Sequence, residues 1–94
     1  MRRDAKVDYN HAEIAGALLA RGCSVKSLAP MGRGMPDLLV GRHGFNFLLE
    51  VKDGSKPPSG QKLTHDEVVF KQQWRGQCAV VNSVLQALEA VGLA

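Results

Sequence analysis

Cysteine is almost missing from this chain, which has only Cys23 and Cys78. They stand far apart and fit no zinc-ligand spacing, so a zinc-centred site is not indicated. Both read as small buried strand residues in a reducing cytoplasm. No apolar run is long enough to span a bilayer. Met1-Arg-Arg-Asp-Ala-Lys6 has the basic flavour of a leader, but Asp4, Asp8 and Glu13 interrupt it and no apolar region follows. No membrane partner is expected. Gly-x-Gly-x-x-Gly and Gly-Lys-Ser/Thr are also missing, so no loop reads as a nucleotide cradle. There are no repeats, low-complexity tracts or coiled-coil heptads.

What remains is a chain of ordinary globular make-up. Its 94 residues, 45% of them hydrophobic, suit one domain spanning 1–94 with a modest core. A chain of this size buries roughly 60–70% of its unfolded surface, so burial against a partner would help it. The formal net charge is +3. If Asp37, Glu50 and Glu13 gather around a cation, the remaining surface is more basic than that figure, which suits an anionic polymer.

The stretch from Met35 to Asp53 organises the rest. Leu38 to Val40 and Phe45 to Val51 are β-rich apolar runs punctuated by His43-Gly44, which reads as a hairpin. A two-residue loop there needs positive φ, free for Gly and tolerated by His. It would pair Arg42 with Phe45, Val40 with Phe47, Leu39 with Leu48 and Asp37 with Glu50. A four-residue loop gives the same pairing. Directly opposed carboxylates repel, and a divalent cation between them removes the conflict. Lys52, two residues beyond Glu50, shares that face. Hard oxygen ligands favour Mg²⁺ or Mn²⁺ over zinc. With a lysine alongside, such a metal could acidify a water and neutralise a phosphodiester.

Pro36-Asp37, a gap, and then Glu50-Val51-Lys52 resemble the motif of the PD-(D/E)XK nuclease superfamily, and within it the virus-type replication-repair nuclease domains. The resemblance implies a stand-alone phage or bacterial enzyme with an αβββαβ core. It also implies divalent-metal-dependent cleavage of DNA. Asp37, Glu50 and the Val51 carbonyl would hold the metal, and Lys52 would position the attacking water. Glu13 would be catalytic too, binding metal directly or through water, because these nucleases often carry an acidic residue on the first helix. A glutamine is expected where Glu67 stands, so that departure leaves the family's polar role at this position open.

The remaining segments fit around the hairpin. Residues 5–21 read as a helix with the stripe Ala12, Ile14, Ala15, Ala17, Leu18 and Leu19, stopped by Gly22. Glu13 has small helical neighbours, Gly16, Ala17 and Ala20, that would let it approach the sheet. Equally, Asn10 and Glu13 fit a capping box. Cys23 to Leu28 reads as a first strand. The following Gly-rich loop carries Arg33, and the loop Asp53 to Lys62 carries Lys56 and Lys62. That second loop is expected to be mobile, and all three cations are candidate DNA contacts. Thr64 and Glu67 form a capping box for a second helix. Phe70 and Trp74 are an i,i+4 pair on it, with Trp74 expected in the core in preference to serving as a base-stacking platform. Cys78 to Val81 reads as a buried strand, and Ser83 with Gln86 opens a last helix through a second capping box. His11, His43 and His65 are scattered and assigned no role.

The order helix, strand, hairpin, helix, strand, helix predicts an α/β domain with about four strands in a mixed sheet, flanked by helices. The stripes around Leu18-Leu19 and Leu85-Leu88 are candidate dimer surfaces. A twofold dimer carries two sites and suits a branched DNA that needs two matched cuts. The expected activity is therefore a homodimeric Holliday-junction resolvase. Cleavage of flaps or single-strand ends, or nucleic-acid binding without catalysis, are the alternatives.

Overall fold

A computed structural model describes residues 9–94. Its elements run α1 (His11–Ala20), β1 (Ser24–Ser27), β2 (Leu38–Arg42), β3 (Phe45–Val51), α2 (His65–Gln73), β4 (Ala79–Val81) and α3 (Val84–Ala90). Short 3₁₀ turns occupy Ala29–Met31 and Pro58–Gln61. The expected helix begins at His11 among the described residues, and positions 5–8 of it lie outside them. So does the leader-like start.

The four strands form one mixed sheet in the order β1-β2-β3-β4, antiparallel except for the parallel β3–β4 pair. This is the expected α/β class, compatible with an αβββαβ core followed by a C-terminal helix. The hairpin turn explains the register. His43 has φ 51 and Gly44 φ 81, so both central residues lie in the left-handed region that a tight two-residue hairpin needs. Arg42 then pairs Phe45, Val40 pairs Phe47 and Leu39 pairs Leu48, as expected.

One face of the sheet is dry. Leu38, Val40, Leu49 and Val51 project from it against Ile14 and Leu18 of α1 and Ala87 of α3, with Val81 and Val91 completing the cluster. Leu18 is thus spent on the core, and Leu88 packs half-buried against it. Leu19 and Leu85 remain exposed. The opposite face carries Glu50 and Lys52 and is partly covered by α2.

Three local expectations are corrected. Asn10 sits at the N-cap position of α1 but makes no side-chain cap, so the box with Glu13 does not form. Its amide is buried and donates instead to the carbonyls of Lys52 (3.0 Å) and Asn82 (3.2 Å). The loop after β3 carries side-chain hydrogen bonds of its own. Asp53 accepts from the Ser55 amide at 3.0 Å and hydroxyl at 2.7 Å, Gln61 donates to the Lys56 carbonyl, and Asn82 donates to Gln61 at 2.9 Å. Trp74 is not a core residue. It caps the C-terminus of α2, is 45% exposed, and stacks on Phe70 with ring centroids 5.1 Å apart. The capping box of Thr64 and Glu67 forms in full. At α3, Ser83 caps the Gln86 amide, but Gln86 reaches back to the Asn82 amide rather than to Ser83.

Asn10 therefore ties α1 to the C-terminal ends of both strands of the parallel pair, just beyond Val51 and Val81. Asn10→Asp removes both donors and faces a carboxylate with two carbonyl oxygens. It should lower stability by about 1–3 kcal/mol, read by urea denaturation. Unchanged stability would mean that the clamp is dispensable.

Candidate metal centre

β2 begins at Leu38, opposite Leu49. One step further out, the same register sets Asp37 against Glu50. The Asp37 carboxylate accepts the Val51 N–H at 2.7 Å, standing in for the backbone carbonyl that a longer β2 would have offered. The Asp37 carbonyl meanwhile accepts from Leu28 at 2.7 Å and extends the β1 ladder. Asp37 is therefore held on both sides.

Alternation along β3 does the rest. Val51 turns its side chain into the core, while Glu50 and Lys52 turn toward α2. Lys52 is only 8% exposed, and its ammonium lies 2.8 Å from Glu67 Oε1 and 3.7 Å from Glu50 Oε2. Glu67 is placed there by its own helix start, since the Oε1 that meets Lys52 also accepts the Thr64 N–H at 2.8 Å. Asp37, Glu50, Val51, Lys52, Lys56, Thr64 and Glu67 surround one hollow of about 210 Å³. With its side chain in the core, Val51 meets this hollow through its backbone.

Three carboxyls against a buried lysine make an acid-heavy site. Burial, then hydrogen bonding to Glu67 and the charge of Asp37, pushes the Glu50 carboxyl up to about 10. Burial also raises Asp37, against the lowering pull of the Val51 N–H, of Glu50 and of the nearby His11. At Glu67 burial acts upward too, but hydrogen bonds from Glu50, Lys52 and Thr64 together outweigh it and hold that group below its usual value. Without a cation, Glu50 is thus a neutral acid shared among carboxylates.

Comparison with protein-family models, with curated proteins and with solved structures finds no match to this chain.

Asp37, Glu50, Val51 and Lys52 converge as the sequence suggested. Lys56 borders the same hollow, and Arg33 borders an adjoining one with Asp37 and Glu67. Arg33 has a left-handed backbone, φ 57. The next residue, Gly34, packs so closely on the start of α2 that a side chain there would run into the Asp66 carbonyl. Lys62 is exposed at the end of the second 3₁₀ turn and borders none of these hollows.

Glu13 is not brought to the cluster. It is exposed, borders a separate hollow with Tyr9 and Asp53, and does not figure among the charges acting on Asp37 or Glu50. The α1 residue that does act on Asp37 is His11, at the start of the helix that Asn10 fastens. Sequence reasoning passed over it because no spacing ties position 11 to position 37. Glu67 was legible as a cap, but its second partnership with Lys52 was not.

Among the described residues no three Asp, Glu, His or Cys side chains form a ready metal cage. Mg²⁺ does not need one, since it binds through one or two carboxylates and keeps several waters. Asp37, Glu50 and the Val51 carbonyl are an all-oxygen set of that kind, and the surplus of carboxyls gives a dication something to neutralise.

The Glu50 shift has a measurable sign. Between its ordinary 4.5 and about 10 the folded state binds more protons than the unfolded one, so stability falls as pH rises through that window. Asp37 acts in the same direction, and Glu67 opposes it only in the acid range. Stability measured in chelator should fall steadily from pH 5 to 9. Glu50→Gln should flatten the decline, and a flat wild-type profile would overturn the neutral-acid assignment.

Proposed function

We propose that this protein is a divalent-metal-dependent DNA endonuclease of the PD-(D/E)XK kind. One observation carries the reading: Asp37 and Glu50 stand opposed at a hairpin end with Lys52 beside them in the same hollow. A purely structural set of ion pairs does not account for three carboxyls in one hollow, two of them against a single buried ammonium. An uncompensated buried carboxyl costs stability, and a cation-dependent function gives a reason to keep it.

Asp37, Glu50 and the Val51 carbonyl would hold Mg²⁺ or Mn²⁺. The ion supplies Lewis acidity and neutralises charge on the phosphodiester. Lys52 orients the attacking water and stabilises charge developing on the phosphoryl oxygens. Glu67 is a positioning residue that fixes the Lys52 ammonium by charge and hydrogen bond. Arg33 and Lys56 border the approach and would contact phosphates, as would Lys62 from further along the loop. The partner proposed is branched DNA cut by a homodimer, a Holliday-junction resolvase, with flaps or single-strand ends as the second substrate class. Among the described residues no helix is long and apolar enough to cross a membrane.

Asp37→Asn should abolish Mg²⁺- or Mn²⁺-dependent cleavage. It should leave the metal-free fold about as stable, because an amide oxygen at position 37 still accepts the Val51 N–H. Cleavage of labelled junction, flap and duplex substrates, with mass by light scattering, tests the finer claim. A monomer that cuts all three equally would leave only a general metal nuclease. A melt that collapses while cleavage persists would make the carboxylates structural.

Neutralising Arg33, Lys56 and Lys62 together should reduce the logarithmic salt dependence of duplex binding by about 0.9 per lost phosphate contact. An unchanged slope in a salt-titrated binding assay would remove these residues from the interface.

A further inference from the structure

The face that carries the carboxylates continues toward the hairpin turn as an apolar floor. Leu39 and Leu48 pair directly and lie two residues inward from Asp37 and Glu50. They therefore share that face, about 7 Å along the strands. With Leu28, Met35 and Trp74 they line a hollow of about 330 Å³, closed at one edge by Gln77. Met35 also borders the neighbouring hollow of Arg33, Asp37 and Glu67. The two spaces adjoin, so an apolar recess lies one short step from the candidate metal centre.

Trp74 is set up as a fixed platform in this recess. Phe70 stacks on it at 5.1 Å with an interplanar angle of 19°. Its indole N–H donates to the Gln77 carbonyl at 3.2 Å. Gly76 leaves room for it, since a Cβ there would come within 2.9 Å of the indole nitrogen. Gln77 in turn clamps Leu48, accepting its N–H at 2.6 Å and donating to its carbonyl at 3.2 Å. Ring and floor are thereby held in one register, and the ring remains 45% exposed.

The rim is basic. Lys26 of β1 pairs with Leu39, which puts it on the same face beside the recess, exposed. Arg75, next to Trp74, is exposed as well. No acidic residue lines the recess. A cation beside an apolar floor with one rigid aromatic suits a polyanion with planar apolar groups, and it suits an uncharged protein surface poorly.

We propose that this recess takes a nucleobase swung out of its stack, with Trp74 as the stacking platform, next to a phosphate held at Asp37, Glu50 and Lys52. The proposal rests on the nuclease reading and makes it specific: the substrate has, at a branch point or strand end beside the cut, a nucleotide free to leave its stack. Intact duplex keeps its bases inside and cannot fill the recess.

Trp74 is the chain's sole tryptophan, so its fluorescence reports on the recess alone. The whole chain is titrated in chelator with a short labelled oligothymidine and with an abasic strand of equal length and charge. Trp74 emission and the anisotropy of the label are read together. The thymidine strand should quench Trp74 and bind more tightly than the abasic strand, which should leave emission unchanged. Trp74→Ala should weaken thymidine binding at least about fivefold without changing abasic binding, and Trp74→Phe should restore most of the loss. If Trp74→Ala does not fold, the wild-type comparison of the two strands decides alone. Strand binding with unaltered emission, or equal affinity for both strands, would overturn the recess while leaving the nuclease reading intact. Neither binding nor metal-dependent cleavage would remove that reading and the recess with it. Self-association that Trp74→Ala abolishes, with no dependence on bases, would assign the recess to a second copy of the chain and overturn the proposal.

Discussion

Where β2 stops short of its partner, a side chain takes over the work of the backbone. The bond from the Val51 N–H to the Asp37 carboxylate satisfies a strand end that would otherwise leave a buried donor orphaned. It also fixes a negative group at the mouth of the sheet. Everything around the candidate site follows from it. Glu50 must face Asp37, Val51 must turn inward to the core, and Lys52 must come out again beside Glu67. A single hydrogen bond thus couples the packing of the dry face to the chemistry of the wet one.

The electrostatics show the tension that this creates. Lys52 is closer to Glu67 than to Glu50, so the helix takes most of the lysine's charge and Glu50 is left to hold a proton. Such an arrangement is poor for stability and useful for binding a cation, which can displace that proton. The surrounding structure is stiff enough to sustain it. Asn10, Gln77 and Asn82 each spend side-chain amides on backbone carbonyls or neighbouring amides around the sheet, where ladder bonds have run out.

Legibility in the sequence followed the range of the interaction. The hairpin register could be read because His43-Gly44 sets it within a few residues, and the start of α2 because Thr64 and Glu67 are three apart. Asn10 misled because its local option, a cap, lost to two carbonyls 42 and 72 positions away. Composition marked Asp53–Lys62 as a loop, but not the short side-chain bonds that Asp53 and Gln61 make within it. Trp74 looked like core because aromatic pairs on helices usually are, but α2 ends there and the ring lies at the margin of the sheet. Glu13 and His11 are two residues apart on α1. Only the docking of that helix decides which of them acts on Asp37.

Gly34 ties two parts of the molecule into one mechanical unit. Because it lies hard against the Asp66 carbonyl, the Arg33 turn and the first turn of α2 share a common surface with no slack between them. Arg33, Glu67 and, through Glu67, the ammonium of Lys52 thus stand along one line of contacts. The Arg33 turn and the helix start that holds the lysine at the heart of the cluster therefore share one packed seam.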